Sequence, residues 1–515
     1  MDKETEVIPF IAVERGVGLV DGQPVHQKGY HLDADPLKDD GTFAEWTWND
    51  KTQTLLARVD WLGTQPLFYG EYAGRLVISP NILPILSADI PGDLDYVALG
   101  VFFRMGFHLG EDTLFKHIRA FPPGGVLKWH AGKLEIKGEI PGYERQELSR
   151  AAEEEAYIEL FRKSIERRKH LLPDYIQPLS GGRDSRHILA ELCRQDAKPR
   201  YAYTIRTTFK DTALGEEQIS VSVAKALGVE HRILENSIKS EIKREGVKNL
   251  LTSFSCDEGG WMMDAVGALR ENHAGFYEGY LGDILSAFHW LNVGGELYKA
   301  YYEGGDNEAV KAIAKRFSPK HEAMDELIVK TFGNREELSK GAFNERLQAH
   351  FQLFKHLHNP VTSSLIYSRG RREIAMCAWG GYPWVDKIMA PYLDRDWFLT
   401  MLSFPEREEP TYAFQRSAAM ARAYPHLADI PYAATEPFSG MTAAKRRLRV
   451  LQDAWFSSYS DLGINRNDSR KWVADAVLRR EAGKIKFPRK LMLAQLKALS
   501  AGQLSAMQHS IKQYF

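Results

Sequence analysis

The 515-residue chain holds three cysteines, Cys193, Cys256 and Cys377, and no Cys-x-x-Cys. That spacing excludes a disulfide framework and a cysteine-rich zinc site, and it suits a reducing, cytoplasmic location. Long apolar runs are also missing. None approaches 18 residues, so no membrane span is expected. The opening Met1-Asp-Lys-Glu-Thr-Glu6 is acidic and lacks the character of a signal peptide. There are no repeats and no low-complexity linker. An excess of either charge is absent, with 67 Lys+Arg against 68 Asp+Glu and a net charge of −1, so the total gives no footprint for a nucleic-acid partner. The distribution is less even. Residues 441–515 carry 15 Lys+Arg against 5 Asp+Glu, a net +10, which leaves −11 over residues 1–440. This basic tail is expected to dock as a helical face on the acidic body, the other readings being an acidic peptide or a nucleic acid as its partner.

What is present is concentrated in seven residues, Leu179-Ser-Gly-Gly-Arg-Asp-Ser185. They follow Asp174-Tyr-Ile-Gln-Pro-Leu179, an apolar stretch able to form a strand. They precede Arg186–Cys193, where Ile188, Leu189 and Leu192 recur at helical spacing. Strand, glycine turn and helix together aim free backbone N–H groups at an anion. Gly181 and Gly182 let the main chain approach a phosphate, Ser180 and Ser185 add hydroxyl donors, and Asp184 is left to hold a Mg²⁺ ion. A glycine-rich turn that merely starts an ordinary helix is the plainer alternative. The pattern is not the Walker loop, which needs Gly-x-x-x-x-Gly-Lys-Ser/Thr. It resembles the PP-loop of enzymes that split ATP between the α and β phosphates, and the cofactors implied are ATP and Mg²⁺.

At 44% apolar residues the chain can bury the cores of two or three domains. Residues 1–145 read as many short strands, among them Gly16–Val20, Thr54–Val59, Leu67–Tyr69, Arg75–Ile78 and Val126–Trp129. Pro141-Gly142 marks a break, and Leu148 to about Leu171 reads as a helix. Tyr201–Ile205 reads as a second strand after the loop and Glu216–Leu227 as a helix, and the pattern beyond about residue 290 is mostly helical. The expected class is α/β: a β-rich antiparallel domain over 1–145, then a parallel-sheet domain with helical additions over 146–515.

Several further segments carry a resemblance. Ala57-Arg-Val-Asp-Trp-Leu-Gly-Thr-Gln-Pro-Leu-Phe-Tyr69, Ser79-Pro-Asn-Ile-Leu-Pro-Ile-Leu86 and Thr113-Leu-Phe-Lys-His-Ile-Arg-Ala-Phe-Pro-Pro-Gly124 precede the loop. Glu278-Gly-Tyr-Leu-Gly-Asp283 and Pro391-Tyr-Leu-Asp394 come after it. In order and spacing, from about residue 50 to 440, these resemble the motifs of asparagine synthetases. The resemblance implies a glutaminase-like, Ntn-type α+β domain followed by a PP-loop synthetase domain. It implies an ATP-dependent, AMP- and pyrophosphate-forming ligase that joins a small-molecule or peptide carboxylate to an amine donor. By position, Ser180, Gly181, Gly182 and Ser185 would hold the future pyrophosphate, with Gly279 and Gly282 in the facing turn. Asp184 and Asp283 would bind Mg²⁺, while Leu179 would line the nucleotide and the strand ending at Thr204–Ile205 would lie near its adenine.

The departures are as specific. Glutamine-dependent members use an N-terminal cysteine whose thiolate attacks the amide, but this sequence starts Met1-Asp2 and has no cysteine before Cys193. The first domain is therefore expected to lack glutaminase activity. Lys387-Ile-Met-Ala-Pro-Tyr-Leu-Asp394 replaces a Glu-x-Arg-x-Pro-Phe-Leu-Asp segment, and Thr435-Glu-Pro-Phe438 replaces Lys-x-x-Phe. Lys445, Arg446 or Arg447 would have to supply that lysine's charge. Tyr280 stands where the related β-lactam synthetases place a tyrosine that acts with a glutamate. Glu373 is the candidate partner here, and burial of Tyr280 as a packing residue is the alternative. His187 reads as a packing or capping residue, and Asp257-Glu258 as an amine-binding or helix-start pair. An internal macrolactam- or β-lactam-forming synthetase, akin to lasso-peptide cyclases, and a non-catalytic ATP-binding scaffold remain the competing readings. A homo-oligomer or peptide partner stays open.

Overall fold

The computed structural model describes residues 8–33, 40–206, 213–234, 240–272, 275–287, 295–318, 321–404, 412–433, 459–462, 487–500 and 502–512. Its N-terminal part is built from ten strands. They are β1 (Ile11–Glu14), β2 (Gly18–Gly22), β3 (Val25–His31), β4 (Gly41–Asn49), β5 (Thr54–Val59), β6 (Phe68–Tyr72), β7 (Arg75–Ser79), β8 (Ile118–Ala120), β9 (Val126–His130) and β10 (Lys133–Lys137). They form two antiparallel sheets ordered β2-β1-β7-β6-β8 and β10-β9-β5-β4-β3.

The side-chain period of two explains the layering. Ile11 and Val13 on β1, Leu76 and Ile78 on β7, and Leu55, Ala57 and Val59 on β5 point between the sheets, where Trp46, Leu127 and Trp129 complete the core. The alternate positions of β1 and β7, Ala12 and Val77, face the other way into a second core shared with helices α1 (Ile82–Ser87) and α2 (Tyr96–Met105). The first sheet is thus covered on both faces. The second exposes Leu56, 43% accessible, on its outer side.

Ser149, whose hydroxyl accepts the N–H of Ala152, caps α3 (Arg150–Arg168), as the helix expected over 148–171. A three-stranded parallel sheet comes next, β11 (Gln177–Pro178), β12 (Ala202–Ile205) and β13 (His231–Leu234), in that order. Helices α4 (Asp184–Arg194) and α5 (Ala213–Leu227) make the crossovers. β11 is shorter than the stretch 174–179 expected as strand. Pro178 has no N–H for the ladder, although Leu179 resumes it by donating to the Tyr203 carbonyl at 2.8 Å. A second parallel pair, β14 (Phe276–Tyr277) and β15 (Ile388–Met389), lies alongside. A bridge from Tyr175 to Gly275 holds β14 beside β11, as does the Gln177 side-chain amide, which donates to the Tyr277 carbonyl and accepts the Tyr277 N–H.

Beyond α6 (Glu241–Leu251) the described residues are mostly helical, as expected. Two consecutive π-helical stretches, Ile366–Ile374 and Met376–Gly380, are rare structure of the kind that gathers at functional sites. Part of the basic tail docks as expected. In the helix Phe487–Ser500, Arg489 Nε meets Asp257 Oδ2 at 2.5 Å and Gln495 donates to the carbonyls of Gly246 and Leu462. No described helix is long and apolar enough to cross a membrane.

A buried ionic knot joins the N-terminal sheets to the helical and parallel-sheet elements. Arg168 Nη1 donates to Asp394 Oδ2 at 2.9 Å, and its Nε donates to the Tyr30 hydroxyl at 3.2 Å. Arg167 Nη1 lies 2.7 Å from both Asp394 and Asp40. Asp394 also accepts the N–H of Trp397, capping the helix Arg395–Ser403. Removing one partner strands a buried charge, which costs about 3–5 kcal/mol. Asp394→Ala is therefore expected to lower unfolding free energy by about that amount, measured by urea denaturation. Lys311→Ala, which breaks the exposed bridge to Glu308, should cost about 1 kcal/mol or less.

Candidate nucleotide site

In parallel sheets ligands bind beyond the carboxyl ends of the strands. The residues singled out in the sequence largely meet there. Leu179–Ser185 leaves the end of β11 and runs directly into α4. The turn Glu278–Gly282 leaves the end of β14, and Ile205 ends β12.

The first loop is held by its own hydroxyls. The Ser180 N–H donates to Ser185 Oγ at 3.0 Å, the two seryl oxygens are 2.9 Å apart, and the Gly182 N–H donates to Ser180 Oγ at 3.1 Å. Thr204 ties it to the sheet, donating to the Leu179 carbonyl at 2.7 Å. Among the described residues no side chain caps the start of α4, and the positive end of the helix faces the loop.

Two glycines set how closely other elements approach. A Cβ on Gly181 would sit 2.6 Å from the Ala433 Cβ, and Ala433 donates its N–H to the Gly181 carbonyl. A Cβ on Gly282 would sit 2.6 Å from Asp184 Cγ and 2.7 Å from the Tyr392 ring. Gly279 is nearly as close, its Cβ position 3.1 Å from Asp184 Cβ. The two loops therefore meet at Asp184, the proposed metal ligand. Asp283 opens the helix Gly282–Ala287, but its side chain lies outside the described residues. So do Lys445, Arg446, Arg447 and Thr435–Phe438.

Other candidates fall elsewhere. The Tyr280 ring packs edge-on against Trp379, and the charged groups that face its hydroxyl are Asp60 and Arg371. Burial holds that phenol well above its ordinary value, and it is a packing residue here. Glu373 pairs with Arg369 at 3.0 Å, and the Tyr280 hydroxyl has no hydrogen-bond partner among the described residues, so no tyrosine–glutamate dyad is formed there. His187 stacks on Phe161 at 3.8 Å and meets the hydroxyls of Tyr157 and Tyr392. Burial pushes its pKa well down, leaving it neutral as a packing residue. Lys387 donates to the Leu171 carbonyl. Asp257, Glu258 and Glu373 cluster closely enough to share a cation, but Arg489 and Arg369 already pair with them.

Sequence reasoning missed two residues beside the loop. Glu278, half-buried beside the Asp184 contact, has its carboxyl pushed up to about 7 by burial, and no Lys or Arg pairs with it among the described residues. Tyr432 lies under the guanidinium groups of Arg183 and Arg186, at 4.6 and 4.1 Å, and helps bring the 430–433 segment across the loop.

Gly282→Ala should force Asp184 or Tyr392 to move. The expected cost is about 1–3 kcal/mol of stability, read by thermal denaturation. An unchanged melting temperature would show that the loops are not locked by this contact.

The curated proteins contain no match to this chain. A family model does match: residues 33–139, well under half the chain, are similar to a glutamine amidotransferase domain, which fits the N-terminal domain of asparagine synthetase-like proteins.

Proposed function

We infer that the protein is an ATP-dependent amide ligase of the asparagine synthetase type. It adenylates a carboxylate with release of pyrophosphate, and ammonia or an amine then takes the acyl group as AMP leaves. The observation that carries this reading is the loop Leu179–Ser185, opening into an uncapped helix at the strand ends with Gly282 against Asp184. Ser180, Gly181, Gly182 and Ser185 would hold the phosphates, helped by the positive end of α4. Leu179 and Ile205 would line the nucleotide. Asp184 and Asp283 offer the hard oxygen donors that Mg²⁺ takes, and the ion would neutralise charge on the phosphates. Lys445 is the proposed cation beside the adenylate. Residues 1–192 contain no cysteine, so they offer no thiol to attack a glutamine amide. The donor in this reading is free ammonia or an amine.

AMP and pyrophosphate release from Mg·ATP, measured over a carboxylate panel including aspartate with ammonium, tests the reading. Asp184→Asn should lower the rate roughly 10²–10³-fold, the scale of losing one electrostatic stabiliser of the transition state. Binding of Mg·ATP without AMP from any carboxylate would favour a non-catalytic scaffold.

Glu278 deepens this reading. An attacking amine must shed a proton, and a carboxylate titrating near neutrality suits that transfer. The acceptor form is the deprotonated one. With its pKa raised to about 7, amide formation should rise as pH rises through 7 and level off above it. Glu278→Gln should flatten that rise and slow amide formation roughly 10²-fold. The adenylation step, followed by pyrophosphate exchange into ATP, should survive. A wild-type pH profile in the variant would remove Glu278 from the chemistry.

A further inference from the structure

Two of the three cysteines meet, although 121 positions separate them. Cys256, in the loop after α6, is fully buried, and Cys377, on the second π-helical stretch, is 7% accessible. Their sulfur atoms are 2.8 Å apart, inside ordinary non-bonded contact and less than about 1 Å from a disulfide bond of ~2.05 Å. The sequence leaves room for this approach. Gly259 takes a positive φ of 76°, and a Cβ there would fall 2.5 Å from Cys377 Sγ, so a larger residue would push the sulfur aside. Cys193 stands apart on α4 as an internal control.

The surroundings favour a dithiol pair over a metal centre. Both thiols approach the Glu258 carbonyl, at 3.0 and 3.8 Å. Lys248 donates to the Cys256 carbonyl at 2.8 Å, and Glu245 pairs with that lysine. Asp257, Glu258 and Glu373 are the nearby carboxylates, each matched by Arg489 or Arg369. Two sulfurs this close cannot both take tetrahedral positions on a zinc ion with Zn–S bonds of about 2.3 Å.

We propose that Cys256 and Cys377 form a reversible disulfide when a peroxide reaches them, making this contact a modification site that pins the Ser255–Gly260 loop to the π-helical segment. The more accessible Cys377 thiol gives up its proton, its sulfur attacks a peroxide oxygen to become the sulfenic acid, and the hydroxide that leaves takes up that proton as water. The Cys256 thiol then attacks that sulfur, forming the S–S bond and releasing a second water. Overall two thiols and one hydrogen peroxide give one disulfide and two waters. Burial pushes the Cys256 thiol well up and so keeps it in the neutral form. The pinned segment carries Trp379, which packs on Tyr280 two residues before Gly282.

The test uses the full-length protein. It is treated with hydrogen peroxide, alkylated after unfolding, and digested without reductant for mass spectrometry. The expected result is a linked Cys256–Cys377 peptide, short by two hydrogens and restored by dithiothreitol, with Cys193 alkylated. In parallel, peroxide should raise the melting temperature of the wild type by several degrees, because a long loop is closed. It should leave Cys377→Ala unchanged. Alkylated or over-oxidised Cys256 and Cys377 without a linked peptide would overturn the proposal. So would linkage through Cys193.

Discussion

The candidate site depends on one close approach of main chain to side chain. Gly282 brings the turn after β14 within contact of the Asp184 carboxylate, and no residue with a Cβ fits there unstrained. Asp184 is the first residue of α4, so the contact sets the second loop against the helix terminus as well as the carboxylate. Gly181 does the same on the other flank, where Ala433 and α5 close in. The loop hydroxyls are engaged with one another, which gives the loop a defined shape of its own. A ligand entering it would exchange those bonds rather than order a disordered segment, and pre-organisation of this kind lowers the cost of binding.

The second constraint is ionic. Arg168 is buried, as are Asp40 and Asp394, and the knot they make with Arg167 joins the N-terminal sheets to α3 and to the segment after β15. Such pairs add little net stability relative to apolar packing, yet breaking one is costly. They therefore act chiefly as a registration device. Tyr30 shows the logic: its hydroxyl receives Arg168 Nε and the Ala390 N–H, so β3 and the 388–394 segment cannot slide independently.

Much of this is legible in the chain. Alternation marks the strands 54–59 and 126–129, because each has one face in a core and the period of two is then visible, whereas 75–78 lies between two cores and reads as an unbroken apolar run. The glycine-hydroxyl-carboxylate loop is legible because phosphate-type loops need specific residue types at specific positions. The hidden features depend on distance in space. Tyr280 sits in a motif position, but the surroundings that make it a packing residue, Trp379, Asp60 and Arg371, come from three separate segments. Glu278 opens the segment Glu278–Asp283, and nothing local announces that burial would raise its pKa. Cys256 and Cys377 are far apart in sequence, and that spacing alone suggests no relation between them. Sequence spacing bears on local motifs, and a contact between a loop and a π-helical stretch is not one. The π-helical register itself has no reliable residue signature.

The role of the amidotransferase-type domain emerges from its contacts. Arg371 and Arg372 lie on the first π-helical stretch and are both buried. Arg371 donates to the Phe121 and Gly110 carbonyls, and Arg372 donates to the Asp112 carbonyl. The Arg372 guanidinium is depressed to about 9, by burial first and by Arg371 second, so its charge is poorly compensated even with these acceptors in place. Without the β unit, both cations would lose their carbonyl partners inside a helical segment that also packs Tyr280. Unpartnered buried charges cost several kcal/mol each, comparable with the whole stability of a typical domain. A domain whose backbone carbonyls satisfy two buried cations is structurally required whether or not it hydrolyses anything. Retention of the fold is therefore consistent with a stretch of 192 residues that contains no cysteine.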